Sequence, residues 1–351
     1  MKENNNKWEM RWHPFLSEWV IIASQTSIRP WNGNILSQEE EILPEYDENC
    51  YLCPGVVRAS GVKNPDYENT FVFDNDFASF APHAPEVFRD DEFFKAIPAK
   101  GSCRVVCFSP KHNLVLAQMD KSEIMDVVKT WKKEFIELSQ KEYVKNILIF
   151  ENKGKVIGVS NPHPHGQIYA TDFIPRIILQ EIFASAKYHK NKNECLFCNY
   201  LKSELDEKTR IVYENDSFVL FVPYFARYSY ETYLFPKRHF HQITEMTEKE
   251  TEDFVEILKV TLCKYDNLFN MIMPNIMMMH NAPVDGDDYS KFYHFHLEFY
   301  PPLRSPDKLK YMAGFESGGG NIINPTDPDF AAEELRKSND EHFRNKKRAD
   351  K

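Results

Sequence analysis

Phe71-Val-Phe-Asp-Asn-Asp-Phe77 in the first half of the chain and Ile211-Val-Tyr-Glu-Asn-Asp-Ser-Phe218 in the second open the same series of signals twice. Each begins with aromatic and β-branched residues, which suit a strand, and runs into Asn-Asp, which suits a turn. A Pro-Lys step to a histidine follows in both, as Ser109-Pro-Lys-His112 and Phe235-Pro-Lys-Arg-His239. At the same distance beyond each histidine stands a helix cap, Asp120-Lys-Ser-Glu123 and Thr247-Glu-Lys-Glu250. In each, an acceptor at the N-cap and an acid three residues on can satisfy two orphan amides reciprocally. The helices that follow carry apolar stripes at helical spacing, Ile124, Val127, Val128, Trp131, Phe135 and Leu138 in one and Phe254, Ile257, Leu258 and Leu262 in the other. Such stripes face a core. Apolar strands ending in His-x-His come last, Asn146-Ile-Leu-Ile-Phe150 then His163-Pro-His165, and Phe292-Tyr-His-Phe-His-Leu-Glu-Phe299.

A unit of strand, turn, strand, long helix, strand and His-x-His strand, used twice, predicts an α+β duplication with antiparallel sheets and packed helices. The halves divide as 1–185 and 186–351. No Gly-x-Gly-x-x-Gly and no Walker lysine loop supports a dinucleotide-binding or P-loop fold. Gly318-Gly-Gly320 stands far from any strand-to-helix step and reads as loop.

The chain has 351 residues, 14% aromatic and 27% charged, enough apolar side chain to build a core. Its formal charge of -10 and the lack of a long basic tract exclude nonspecific nucleic-acid binding. Met1 to Trp12 has no apolar signal core, and no run is long enough to span a bilayer, so the cytoplasm is expected and a membrane partner is not. Cys50/Cys53 and Cys195/Cys198 are each spaced Cys-x-x-Cys. With no thioredoxin-like strand-to-helix context around either pair, metal binding is the first reading and a redox dithiol the second. Cys103, Cys107 and Cys263 fall in apolar segments and are expected in the core.

Cys50, Cys53, His112 and His163 fall at equivalent steps of the repeat, and two thiolates with two imidazoles are the donor set tetrahedral zinc prefers. Four protein ligands leave no open position, so this zinc is expected to be structural and to set the register of the strand carrying His163. Asn161-Pro-His-Pro-His-Gly-Gln167 is the most specific motif of the chain, because interleaved prolines delete ladder donors and serve no packing purpose. In extended backbone His163, His165 and Gln167 share a face. With His163 on zinc, a neutral His165 can attack an α-phosphorus with one ring nitrogen while the other donates to a backbone carbonyl. Gly166 leaves its amide near where phosphate oxygens would sit, and Gln167 can donate to a nonbridging oxygen.

With these residues in view, the chain resembles the galactose-1-phosphate uridylyltransferases, a branch of the histidine-triad superfamily. The similarity extends over Arg11-Trp-His-Pro14, Arg29-Pro-Trp31, Asn75-Asp-Phe-Ala78, Glu151-Asn152, Gly158, Ser160-Asn-Pro-His-Pro-His-Gly-Gln167, Tyr265-Asp-Asn-Leu-Phe269, Phe299-Tyr-Pro-Pro-Leu303 and Lys310-Tyr-Met-Ala-Gly-Phe-Glu316. The resemblance implies two histidine-triad-like units and a ping-pong reaction. UDP-glucose would give UMP to His165 and release glucose 1-phosphate, and galactose 1-phosphate would take the UMP to form UDP-galactose. It puts uridine binding on Arg29, Asn75, Asp76, Phe77, Asn152 and Gln167, with Ser160 at phosphate. It puts hexose binding on Lys310, Ala313, Phe315 and Glu316, contributed across a homodimer. Ser317-Gly-Gly-Gly320 lacks a glutamine that some relatives carry there, so hexose contacts beyond Glu316 do not transfer.

For the second half the resemblance and the repeat name different metal ligands. The resemblance implies iron or zinc on Glu181, His280, His294 and His296. The repeat selects Cys195, Cys198, His239 and His294, and since His294 is in both sets a single ion is expected. Soft thiolates favour zinc on the cysteine set, leaving Glu181, His280 and His296 as a hydrogen-bonded polar cluster. Two other readings stand beside transfer. A nucleoside polyphosphate phosphorylase or adenylyltransferase would use the same histidine with an adenine or guanine nucleotide. A non-catalytic, zinc-stabilised interaction protein would form no nucleotide adduct at all.

Overall fold

The computed structural model describes residues 7–28 and 42–345. Strands β1 (Trp8–His13) and β2 (Glu18–Ala23) form a hairpin. The first half continues with β3 (Phe71–Asp74), a short ribbon of β4 (Arg89–Asp90) and β5 (Lys95–Ala96), β6 (Gly101–Cys107), α1 (Lys121–Ser139), β7 (Asn146–Lys153) and β8 (His165–Thr171). Helices α2 (Arg176–Lys192) and α3 (Leu196–Glu207) lead to β9 (Ile211–Glu214), β10 (Phe218–Phe221), β11 (Thr232–Pro236), α4 (Glu248–Leu268), β12 (Asn275–His280) and β13 (His296–Tyr300). The tail holds β14 (Leu303–Ser305), β15 (Lys308–Leu309), α5 (Gly314–Gly319), β16 (Ile323–Asn324) and α6 (Pro328–Lys337), with β16 parallel to β2.

Both repeats enter one antiparallel sheet of nine strands, ordered β3-β6-β8-β7-β12-β13-β11-β10-β9. Outward from the β7–β12 junction each half repeats one order: the strand after the long helix, the His-x-His strand, then the strand before the Pro-Lys step. Asn275↔Lys153 through Met279↔Ile149 set the register where the halves meet. The repeat predicts a strand on both sides of each Asn-Asp turn, and the first half departs from this. No strand follows Asn75-Asp76 directly, and β3 pairs straight with β6, whereas β9 turns into β10. The equivalent of Phe218-Val-Leu-Phe221 is Phe77-Ala-Ser-Phe80, which puts small Ala78 and Ser79 where the second half has Val219 and Leu220 and so offers a strand less apolar, β-branched side chain to pack.

The caps form as their sequences require. Asp120 N–H donates to Glu123 at 2.7 Å; in α4 both arms close, Thr247 N–H to Glu250 at 2.8 Å and Glu250 N–H to Thr247 Oγ1 at 3.2 Å. Helices α1 and α4 bury Trp131, Phe135, Phe254, Ile257 and Leu258 on one face of the sheet in a core drawn from both halves. The opposite face of the second half carries α2, α3 and the hairpin over Phe15, Phe197, Tyr233, Phe235 and Tyr293. Strand alternation feeds both layers, Phe218 and Leu220 to one core and Val219 and Phe221 to the other. Among the described residues no helix roofs that opposite face on the first half. It holds Cys50, Leu52, Cys53, Val105 and Cys107 in a small cluster, and beside it a cavity opens. Cys103, Cys107 and Cys263 are buried as expected. Among the described residues no helix is long and apolar enough to cross a membrane.

Candidate active site and metal clusters

Cys50, Cys53, His112 and His163 converge, all buried, with ligand atoms within 4.8 Å of one another. Cys53 Sγ lies 3.8 Å from His112 Nδ1 and 3.6 Å from His163 Nδ1. His163 Nε2–H donates to the Ser109 carbonyl at 2.9 Å, which fixes the tautomer and leaves Nδ1 free for a ligand bond. Asn161 locks the approach, since its Nδ2 donates to Cys50 Sγ at 3.3 Å and its Oδ1 accepts the His163 amide at 3.0 Å. Burial lowers His163 to about 3, which keeps the imidazole in the neutral form a metal needs. It also pushes the Cys53 thiol up to about 11, a desolvation that a bound cation would offset. The donor set, its closure and its second-sphere bonds all fit zinc.

Strand β8 carries the motif onward into the sheet, with His165 opposite Cys107 and Gln167 opposite both Val105 and Phe150. His165 Nδ1–H donates to the His163 carbonyl at 2.7 Å, so Nε2 keeps its lone pair. Burial lowers the pKa of His165, against a smaller opposing effect of that bond, and the ring stays neutral. His165 and Gln167 line a cavity of about 400 Å³ together with Asn75, Asp76, Phe77, Asn152 and Ser160. Those residues come from the turn after β3, from β7 and β8, and from the loop before β8, and the sheet is what assembles them. Arg29, and with it Arg29-Pro-Trp31, lies outside the described residues. Lys310, Ala313, Phe315 and Glu316 are not among the residues lining this cavity; Lys310 pairs with Glu316, and Phe315 is 58% exposed.

Several wall residues escape the sequence reading: Tyr51, Leu52, Ala59, Phe73 and Val105. Tyr51 and Leu52 sit between the two cysteines, so the first metal loop doubles as cavity wall, a signal present in the spacing. Gly166 also has a further reason to be glycine. A Cβ there would stand 2.8 Å from the Phe150 carbonyl and 2.7 Å from the Phe108 ring.

In the second half the cysteine set assembles: Cys195, Cys198, His239 and His294 place their ligand atoms within 4.8 Å of one another. Cys198 Sγ is 3.2 Å from His239 Nδ1 and 3.3 Å from His294 Nδ1. The outer nitrogens donate to carbonyls, His239 to Ser290 at 2.7 Å and His294 to Pro236 at 3.1 Å, as in the first set. Glu181, His280 and His296 form a separate group that Glu298 completes. Glu181 accepts from His280 Nδ1 at 2.9 Å and from the Tyr293 hydroxyl at 2.7 Å. His294 therefore turns away from the set the resemblance implies. Glu298 was legible as the next residue of period two in His294-x-His296-x-Glu298, and only its packing makes it a neighbour.

His296 is the counterpart of His165 and donates its Nδ1–H to the His294 carbonyl at 2.9 Å. It is fully buried, and Phe197, Tyr233 and Phe235 pack on its ring. Burial alone would lower its pKa, but Glu181 and Glu298 outweigh that and push it up to about 10. The same backbone bond thus holds a ring that borders a cavity in one half and an enclosed ring beside two carboxylates in the other.

The family described as galactose-1-phosphate uridyl transferase matches with its N-terminal domain over residues 1–175 and its C-terminal domain over 181–347. The galactose-1-phosphate uridylyltransferase of Schizosaccharomyces pombe is 38% identical over 353 residues, covering 95% of this chain and 96% of that protein. A solved uridylyltransferase is 29% identical with a TM-score of 0.76, over 93% of this chain and 97% of its own. An ADP-glucose phosphorylase of Arabidopsis thaliana reaches the same TM-score of 0.76 at 22% identity, over 95% of this chain and 100% of its own, a likeness of fold alone. With matching models over both halves and a curated relative at that identity across nearly its whole length, the chain belongs to the galactose-1-phosphate uridylyltransferase family.

Proposed function

We propose that this chain moves UMP from UDP-glucose to galactose 1-phosphate, with His165 carrying the nucleotide between the two. The observation that carries the assignment is the state of His165: its Nδ1–H is spent on the His163 carbonyl at 2.7 Å, and the ring borders the cavity. In the first half-reaction the Nε2 lone pair attacks the α-phosphorus, a P–N bond forms, the bond to the bridging oxygen breaks, and glucose 1-phosphate leaves with those electrons. As charge builds on the imidazole, the fixed carbonyl stabilises the Nδ1–H, and Gln167 donates to a nonbridging oxygen. In the second, a phosphate oxygen of galactose 1-phosphate attacks the same phosphorus and His165 leaves neutral, yielding UDP-galactose. Asn75, Asp76, Phe77 and Asn152 would hold the uridine and Ser160 the phosphate, with Arg29 as a further uridine contact. His296 is unsuited to the nucleophile's role, being enclosed under Phe197, Tyr233 and Phe235.

Zinc on Cys50, Cys53, His112 and His163 would clamp the strand that presents His165 and take no part in bond making. A second zinc on Cys195, Cys198, His239 and His294 would do the same for β13, and iron is the alternative metal of that half. On this reading the segment 1–185 performs the transfer, while 186–351 supports it and offers Lys310, Ala313, Phe315 and Glu316 to the hexose of a partner subunit in a homodimer. Incubation with UDP-glucose labelled in the α-phosphate, followed by intact mass, tests the reading. Label on the protein that galactose 1-phosphate discharges is expected; a protein that never acquires label refutes it.

A further inference from the structure

The loop that leaves the first metal cluster does not stop at the cysteines. Asn64, 2% exposed, donates through Nδ2 to the Tyr51 and Cys53 carbonyls at 3.0 Å each, and its amide donates to Val56 at 2.9 Å. Those bonds close a small hairpin, bridged at Val57↔Lys63 and turned with Gly61 at φ 81° and its amide donating to the Arg58 carbonyl at 2.9 Å. The hairpin aims Arg58 at the Asn75-Asp76-Phe77 turn. Its guanidinium lies 4.1 Å over the Phe73 ring, and Nη1 donates to Asp76 Oδ1 at 3.0 Å. The Ser60 amide approaches the other Asp76 oxygen at 3.4 Å. The two side chains are only 9% and 12% exposed, so the pair is screened far less than a surface ion pair. Asp76 lines the cavity; Arg58 does not.

We infer that Arg58 is a positioning residue for nucleotide binding, holding the Asp76 carboxylate toward the cavity so that it accepts from a hydroxyl or imide donor of the nucleoside. An ionised carboxylate can only accept, and a free aspartate on a turn would rotate toward water. Stacked on Phe73 and anchored through Asn64, Arg58 removes that freedom before the ligand arrives, which is preorganisation. The first metal cluster thereby supports both halves of the ligand: His163 sets His165 for the phosphorus, and the hairpin sets Asp76 for the nucleoside. Arg58→Lys keeps the charge but loses the planar stacking and fork geometry, so it should restore part of the effect.

The inference rests on the nucleotidyl-transfer reading and is tested so that the two can fail separately. Titration calorimetry with UDP on the full, zinc-replete chain compares wild type with Arg58→Met, Arg58→Lys, Asp76→Asn and the double variant Arg58→Met/Asp76→Asn. Zinc content and melting midpoint accompany each. Arg58→Met should raise the Kd about ten- to hundredfold, the scale of losing a charge-assisted bond in a partly desolvated site. Arg58→Lys should fall between it and wild type, and the double variant should bind no worse than the weaker single. The rate of His165 labelling at saturating UDP-glucose should stay within a few-fold while KM rises. If Arg58→Met does not fold, the same cycle is read with Arg58→Lys. An unchanged Kd, a double variant whose loss is the product of the singles, or a fallen rate at constant Kd overturns the inference. A wild type that takes no UDP overturns the transfer reading and the inference with it.

Discussion

Gly166→Ala is the substitution whose cost the structure specifies most closely. Gly166 lies in β8 between β6 and β7, opposite Val106. A Cβ there would meet the Phe150 carbonyl oxygen at 2.8 Å and the Phe108 ring at 2.7 Å and 3.2 Å. Ordinary contact begins at 3.4 Å, so about 0.6 Å must be found against the carbonyl. The ring cannot yield freely, being 2% exposed and edge-on to Trp131 at 5.7 Å. The carbonyl belongs to β7, the strand that joins the two halves, and β8 is the element that must move. Overpacking of this kind costs about 1–3 kcal/mol. His165 is the preceding residue and shifts with the strand. Misplacement by 1 Å costs about a hundredfold in rate, so a shift of this size should slow His165 labelling about tenfold or more. The assay is paired: urea unfolding for stability, and the single-turnover rate of label uptake from UDP-glucose at saturation, with zinc content as control. A variant with wild-type stability and a wild-type rate would refute the packing argument.

His165→Ala should lower label uptake by about 10⁴-fold or more, the scale of removing a covalent nucleophile, with zinc content unchanged; a persisting acid-labile adduct would remove His165 from its role. Cys50→Ser and Cys198→Ser should each lose zinc by elemental analysis, and the double variant should lose more than either alone. Equal zinc in all three proteins would contradict both ligand sets. Burial pushes Glu151 from 4.5 up to about 7, Lys153 opposing and Asp266 adding to it, and its Oε2 has no partner among the described residues. Below pH 4.5 folded and unfolded chains both hold that proton; as pH rises toward 7 only the unfolded chain releases it readily, so the stability this group contributes is progressively lost. At about 1.4 kcal/mol per unit, Glu151→Gln should stabilise the protein at pH 8 by up to about 3 kcal/mol and hardly at all at pH 4.5. Urea midpoints at the two pH values decide it, and equal shifts at both would show that titration is not the cause.

Much of this protein is decided by local sequence. The repeat is legible because strands, caps and His-x-His pairs recur in one order, and each is specified by residues within a turn or two of itself. The four-residue donor sets are legible for the same reason, since Cys-x-x-Cys and the Pro-Lys-His step fall at matching points of both halves. The strand absent after Asn75-Asp76 is legible as well, since Ala78-Ser79 stands where the second half has Val219-Leu220. What tertiary structure alone decides is which face each side chain meets across long separations. His294 fits two ligand sets on paper, and only the packing of α3 against β13 brings it to Cys198 rather than to Glu181. Glu298 joins Glu181 and Arg58 reaches Asp76 through a sheet and a loop that no spacing rule connects. The two His-x-His strands are equivalent in pattern, yet one borders a cavity and the other lies under Phe197, Tyr233 and Phe235. The reason is physical: a histidine's charge and access depend on the carboxylates and rings that long-range packing places around it, and those neighbours come from segments remote in the chain.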